Sequence, residues 1–106
     1  MVEMREIRAF ARRVAAKFRP EKIVLFGSHA AGTAIEDSDV DLLVMLRFRG
    51  DRVHKSVAIQ LKLRPRFPVD LIIRSPQEVR RRLKMGDTFL RDILSEGIIL
   101  YEAGHR

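Results

Sequence analysis

Two aspartates, Asp39 and Asp41, stand one residue apart at the head of an apolar run over residues 42–46. Residues i and i+2 of a β-strand point to the same face, so the two carboxylates are predicted to lie side by side at a strand end. Neighbouring carboxylates repel each other, and a hard divalent cation such as Mg²⁺ or Mn²⁺ compensates their charge through oxygen ligands. The pair therefore indicates a metal site.

A third carboxylate, Asp70, lies within another apolar segment, residues 66–73. A lone aspartate in a buried strand is costly unless it is paired or bound to a metal. If the two strands are neighbours, Asp70 can join Asp39 and Asp41 on one face of the sheet. Three carboxylates on two strands can bind two metal ions, which clamp the attacking and leaving oxygens of a transfer reaction.

Upstream of the acidic pair, the apolar segment 24–26 runs into Gly27 and Ser28. Glycine permits close backbone approach, the amides at the start of a helix favour an anion, and the Ser28 hydroxyl can donate to a phosphate oxygen. A phosphate-binding turn beside a metal site predicts phosphoryl or nucleotidyl transfer. The alternative interpretations are an ordinary strand-to-helix turn and a solvated acidic turn.

Hydrophobic periodicity and turn residues predict the elements that position these groups. In the helix over residues 52–63, Val53, Val57 and Leu61 are predicted to form the apolar face. The element order predicts an α/β (α+β) fold, with a small mixed β-sheet flanked by helices. The predicted elements are helix 3–18, strand 22–26, helix 28–31, strand 39–46, helix 52–63, strand 69–73, a helix from Pro76 to Gly86, helix 87–95 and edge strand 98–101.

Two other phosphate-binding motifs are excluded by their fingerprints. The dinucleotide pattern G-x-G-x-x-G is absent from the chain. Gly27 and Gly32 have the spacing of G-x-x-x-x-G-K-[ST], but Thr33 and Ala34 stand where lysine and a hydroxyl residue are required.

The composition narrows the class of protein. A length of 106 residues predicts one domain, residues 1–106. The absence of cysteine excludes disulfides, thiolate zinc and a cysteine nucleophile, and it suits a reducing cytoplasm. His54 and His105 lack the paired spacing of a zinc site, and no apolar run approaches the ~20 residues of a membrane span. The net charge of +7 is compatible with general solubility alone, and with an acidic protein, a nucleotide or, less favoured, a nucleic acid as partner.

Gly27-Ser28, followed after ten residues by Asp39-Val40-Asp41 and later by Asp70, resembles the motif of the DNA polymerase β-like nucleotidyltransferase superfamily. The small size and the segments 27–44 and 89–97 are similar to its minimal nucleotidyltransferase (MNT) branch. The resemblance implies the polymerase β-like fold, ATP as substrate, and Gly27 and Ser28 as nucleotide-binding residues. It also implies two Mg²⁺ ions on Asp39, Asp41 and Asp70, which would be the catalytic residues.

Many members of that branch are antitoxins encoded beside HEPN-domain ribonuclease toxins, and such antitoxins can transfer AMP from ATP to a tyrosine of the toxin. The resemblance therefore implies an AMP-transferring antitoxin with a HEPN toxin as partner. Two alternatives stay open: a binding module that neutralises the toxin by contact alone, and a nucleotidyltransferase that acts on a small molecule or an RNA end. His29 and Ala31 favour the binding module, because many relatives carry basic residues there.

The last helix carries more apolar residues than a helix at the edge of a small domain is expected to bury. We therefore predict that this C-terminal region, or the edge it covers, docks the partner, with electrostatic steering from Arg80, Arg81 and Arg82. The residues of this predicted docking face are Phe89, Leu90, Ile93 and Leu94.

Overall fold

The structure is a computed structural model that describes residues 1–104, so that His105 lies outside the described residues. The predicted order of elements is confirmed, and the boundaries agree closely. The elements are α1 (Met4–Phe18), β1 (Lys22–Phe26), α2 (Ser28–Ala31), β2 (Val40–Met45), α3 (Arg52–Leu63), β3 (Val69–Arg74), α4 (Pro76–Lys84), α5 (Thr88–Glu96) and β4 (Ile98–Glu102).

The four strands form one mixed sheet in the order β3-β2-β1-β4. Strand β1 is antiparallel to β2 and to β4, whereas β2 and β3 are parallel. A parallel pair needs a long crossover, and α3 supplies it. The predicted α+β class is therefore confirmed, and the two strands that carry the aspartates are neighbours. Strand β3 lies at one edge of the sheet and β4 at the other.

Strand β2 supplies side chains to both layers of the core, because successive residues point to opposite faces. Val40, Leu42 and Val44 pack in a cluster with residues of α1 and α3. Leu43 and Met45 pack in a second cluster with residues of α4 and α5. Every residue of β2 is buried except Asp41, which is half-buried. By alternation Asp41 shares the face of Leu43, and so lies on the α4/α5 side of the sheet.

The predicted apolar face of α3 is wrong. The side chains that enter the core are Ile59 and Leu63, whereas Val53, Val57 and Leu61 are 68%, 48% and 69% exposed. The helix carries two apolar rows at helical spacing, and periodicity alone does not tell which one faces the sheet.

The premise of the predicted docking face on α5 is also wrong. Leu90 and Ile93 are buried, and Leu94 packs against the same cluster beneath α4 and α5. Only Phe89 of that set is largely exposed. The two helices close the second face of the sheet together, so the apolar residues of α5 are needed for the core. Within residues 1–104, no helix has the length and apolar character to cross a bilayer.

Candidate active site

Asp41 is the central residue of a row that crosses three strands. Its register partner on β1 is Phe26, and its register partner on β3 is Asp70. Directly opposite residues of neighbouring strands share a face of the sheet, so Asp41 and Asp70 lie side by side on the α4/α5 face. Asp39 immediately precedes β2 and is exposed, as is Asp70. The structure thus brings the three predicted carboxylates to one end of two adjacent strands.

Gly27 joins the end of β1 to α2. It lies against Asp41 in the group of three carboxylates, Asp39, Asp41 and Asp70, which we call the acidic row. Its backbone has φ 76° and ψ −155°, a conformation that favours glycine. A Cβ atom at this position would collide with Oδ2 of Asp41. The predicted phosphate turn and the predicted metal site are therefore in direct contact, and the contact depends on a residue without a side chain.

The backbone of the turn leaves donors for an anion. Helix α2 starts at Ser28, and the amides of Ala30 and Ala31 donate to the carbonyl oxygen of Gly27 at 3.1 and 3.0 Å. The first amides of a helix have no acceptor within it, so those of Ser28 and His29 are the donors that a phosphate can use. The Ser28 hydroxyl begins the same turn. This arrangement fits the predicted nucleotide-binding role of Gly27 and Ser28.

His29 connects α2 to the acidic row. Its Nδ1 lies 3.1 Å from the carbonyl oxygen of Asp39, and because a carbonyl only accepts, Nδ1 carries the hydrogen. Its Nε2 is buried and has no hydrogen-bond partner among residues 1–104. The resemblance marks His29 as a departure from related chains that can replace in part the basic residue found there. Its position two residues after Gly27 was the available signal that it reaches the start of β2.

The surroundings of Asp41 disfavour its ionised form. Burial raises the pKa of Asp41 above its ordinary value of 3.8, and the negative charges of Asp70 and Asp39 raise it further. The nearby His29 imidazole opposes this rise. A cation that balanced the three carboxylates would remove the electrostatic part of this pKa shift.

The side chains of the site are compatible with a divalent metal in their type and charge. Within residues 1–104, no three histidine, cysteine or acidic side chains converge into a ready-made cage. Mg²⁺ does not need one, because it is usually held by one or two carboxylates together with substrate phosphates and water. The side chains at the site are oxygen donors with excess negative charge, and the adjacent turn can place phosphates beside them. The residues therefore fit Mg²⁺ or Mn²⁺, with Asp41 in the middle.

An apolar cavity adjoins the turn on its other side. Its walls include Gly27 and Phe89, and Asp92 and Glu96 also line it. Phe89 packs edge-on against Phe26, with the ring centroids 5.8 Å apart. The part of α5 that sequence reasoning assigned to a partner thus forms a wall beside the phosphate turn.

Other conspicuous residues have structural roles. His54 is exposed, and its Nδ1 contacts the carboxylate of Asp51, the residue that caps α3. Arg80, Arg81 and Arg82 are exposed on α4, and Arg82 Nε donates to Asp87 at 3.1 Å. These residues lie outside the acidic row.

Comparisons with known proteins agree with this geometry. The family model described as "Nucleotidyltransferase domain" matches residues 7–100. A protein of Methanocaldococcus jannaschii that carries the name "putative protein adenylyltransferase" is 31% identical over 103 residues, which cover 95% of this chain and the whole of the relative.

Two solved structures share the fold. A crystal structure named "putative nucleotidyltransferase" from Sulfolobus solfataricus has a TM-score of 0.63 at 20% identity, and the match covers 92% of this chain and 78% of the other. A crystal structure of a toxin–antitoxin with AMP-PNP has a TM-score of 0.57 at 22% identity, and that match covers 91% and 73% of the two chains. The mixed sheet flanked by helices is therefore the architecture of known nucleotidyltransferase structures.

Proposed function

The chain belongs to the nucleotidyltransferase domain family, and on that premise we propose that it transfers AMP from ATP to a hydroxyl group of a partner protein. The match with the Methanocaldococcus jannaschii relative spans the full length of that small protein, which fits the minimal nucleotidyltransferase branch. The acceptor class is taken from the name of this relative, a protein adenylyltransferase.

One observation carries the proposal: the glycine of the phosphate turn packs directly on Asp41, which stands opposite Asp70. A triphosphate held by the turn is therefore adjacent to the carboxylates that would hold its metal ions. Gly27 and Ser28 would bind the β- and γ-phosphates, through backbone amides and the Ser28 hydroxyl. The apolar cavity beside Gly27 is available to the rest of the nucleotide.

Each carboxylate has a distinct role in this proposal. Asp39 and Asp41 would hold two Mg²⁺ ions, and Asp70 would contribute to the ion nearer the acceptor. Bound there, Mg²⁺ neutralises phosphate charge and favours ionisation of the attacking hydroxyl. Asp70 is exposed on the edge strand β3, so an acceptor can reach its carboxylate. Asp41 is half-buried and stands opposite Asp70 on the neighbouring strand.

The proposed reaction is one displacement at phosphorus. The acceptor oxygen forms a bond to the α-phosphorus of ATP, the bond from that phosphorus to the bridging oxygen of the β-phosphate breaks, and pyrophosphate leaves. The proton of the acceptor hydroxyl passes to a carboxylate oxygen of Asp70. The products are the AMP ester of the acceptor and pyrophosphate.

The partner is proposed to be a HEPN-domain toxin whose tyrosine accepts the AMP, so that the chain acts as its antitoxin. The fold likeness to a toxin–antitoxin bound to AMP-PNP supports this context. The cytoplasmic location stays a prediction from the sequence.

A binding module without catalysis is the second candidate. One feature favours it: the resemblance implies basic residues in many relatives where this chain has His29 and Ala31. Such a module would inhibit the toxin by contact, with its carboxylates dispensable. A transfer to RNA ends or small molecules is the third candidate.

The test uses ATP labelled at the α-phosphate, Mg²⁺, and the HEPN protein encoded by the neighbouring reading frame. Label on a tyrosine of that protein is expected, whereas ATP labelled at the γ-phosphate should leave it unlabelled. Asp39→Asn should remove the modification and preserve the complex. Equal inhibition by a variant with Asp39, Asp41 and Asp70 all changed to asparagine, with no AMP transfer, would support the binding module. Label on added RNA would support the third candidate.

A further inference from the structure

Three exposed apolar side chains form a row along α3, which we call the α3 row: Val53, Val57 and Leu61. Residues four apart lie above one another on a helix, so the row is continuous. Single exposed apolar residues are ordinary, but an ordered row of three on one helix is typical of an interface. The core does not need this row, because Ile59 and Leu63 pack into the core from the other side of the helix.

A groove connects the α3 row to the site. Val53 and Val57 form one wall, and the edge strand β3 forms the other from Asp70 to Arg74. Its volume is ≈ 410 Å³, within the range of pockets that accept small groups. The Ser56 hydroxyl donates to the Leu71 carbonyl at 3.3 Å and holds the helix beside the strand. A molecule that covers the α3 row can therefore extend along the groove to Asp70.

The charges around the α3 row are positive. Helix α3 contains no acidic residue, and Arg52 and Arg74 line the groove at the end opposite Asp70. Burial and the positive charge of Arg52 lower the pKa of Arg74, whereas Glu78 and Asp87 oppose this shift, and Arg52 lies 3.4 Å from the Glu78 carboxylate. Helix α3 also carries Lys55 and Lys62 with no carboxylate of its own to balance them, so its surface fits an acidic partner better than a basic one.

Charge also argues against the other occupants. A second copy of this chain would place one α3, which has no carboxylates, against another. A nucleic acid would satisfy the arginines, but the α3 row offers it no aromatic side chain on which a base could stack. The side chains of the α3 row are spaced at i, i+4 and i+8, and this spacing is complementary to the apolar side of another helix.

We propose that the α3 row and the adjoining groove are the docking surface for the acceptor protein, which presents an amphipathic helix with acidic residues beside its apolar face. The acceptor hydroxyl would then enter the groove at the end that Asp70 lines. This inference rests on the proposed function, because it identifies the surface that receives the acceptor. It replaces the docking face that the sequence predicted on α5.

The probe is a fluorescein-labelled amphipathic peptide of about 18 residues, long enough to form a helix, with leucines on one face, glutamates beside them and one tyrosine. Fluorescence anisotropy without nucleotide measures its binding, and ATP with Mg²⁺ then tests AMP transfer by mass. Val57→Asp should weaken binding roughly tenfold or more, because a charge enters the apolar centre of the contact. Leu61→Asp, on another exposed residue, should do the same.

Ile99→Asp is the matched control, since Ile99 is 47% exposed against 48% for Val57 and lies on β4 at the opposite edge of the sheet. It should bind the peptide as the unmodified chain does. A peptide with lysine in place of glutamate should bind about tenfold more weakly. Because binding is read without ATP, the docking surface is tested separately from the proposed function, which the transfer of AMP to the HEPN protein tests.

Three results would overturn the docking surface. The first is no peptide binding to the unmodified chain, or equal binding by Val57→Asp. The second is a dimer in sedimentation velocity that Val57→Asp converts to monomer, which would assign the α3 row to a second copy. The third is binding of a labelled single-stranded RNA that Val57→Asp weakens while peptide binding is unchanged.

Discussion

The backbone of Gly27 leaves the space that the carboxylate of Asp41 occupies, and a Cβ atom on Gly27 would collide with Asp41 Oδ2. Gly27 lies at the end of β1, and Asp41 lies in β2, opposite Phe26. The phosphate turn and the acidic row are therefore one packed unit, so a change in either is transmitted to the other.

Gly27→Ala should abolish ATP binding and lower stability. Its φ of 76° is strained for alanine, which costs about 1–3 kcal/mol, and the new methyl group also displaces Asp41. Gly32→Ala is the matched control, because Gly32 has φ 78° and a Cβ there meets no atom within 4 Å. Calorimetry with ATP and Mn²⁺ and thermal unfolding compare the two. Equal losses of ATP affinity and of thermal stability in the two variants would mean that the collision with Asp41 is unimportant.

Ser28→Ala should weaken triphosphate binding more than it changes stability. A hydrogen bond to a charged group contributes about 1.5–3 kcal/mol, so affinity should fall by roughly one to two orders of magnitude. The measurement is a titration of the protein with ATP and Mg²⁺. If the unmodified chain and Ser28→Ala bind ATP with the same affinity, Gly27 and Ser28 form an ordinary strand-to-helix turn.

Asp41→Asn should stabilise the metal-free protein at neutral pH. The pKa of Asp41 is raised in the folded state, so the folded protein holds this proton more tightly than the unfolded chain does. The resulting stabilisation is fully present below 3.8 and is lost as pH rises through the raised pKa. Above that range, the ionised Asp41 destabilises the fold, and asparagine removes the effect.

Urea unfolding in EDTA across a pH series measures this difference, with Asp37→Asn as a control for loss of an exposed carboxylate nearby. The advantage of Asp41→Asn should shrink as the pH falls toward 3.8. With saturating Mn²⁺ the order should invert, because only the unmodified protein gains full binding energy from the metal. A pH-independent difference would contradict the electrostatic origin.

More of the site than of the surfaces around it could be predicted from the sequence. The two-residue spacing of Asp39 and Asp41 and the apolar flanks of Asp70 fix their strand positions, because the side-chain period of a strand is two. The turn at Gly27 follows from its position between a strand and a helix. The contact of Gly27 with Asp41 could not be predicted, since it depends on the antiparallel register of β1 and β2.

The predictions for the faces of α3 and α5 were wrong for a different reason. Helix α3 has two apolar rows, and the choice of Ile59 and Leu63 for the core follows from how the crossover sits between β2 and β3. Likewise, Leu90 and Ile93 are buried because α4 and α5 cover the second face of the sheet together. Tertiary packing decides which face of each helix is buried, and the local periodicity of the sequence carries no information about that packing.

The two rows of α3 should respond oppositely to truncation. Ile59→Ala removes a fully buried side chain and should lower the free energy of unfolding by about 2–5 kcal/mol. Val57→Ala removes an exposed one and should change it by no more than about 0.5 kcal/mol. Urea unfolding of the isolated chain measures both. A large loss in Val57→Ala, with a small one in Ile59→Ala, would restore the face that the sequence predicted. That result would also remove the α3 row from the surface available to a partner.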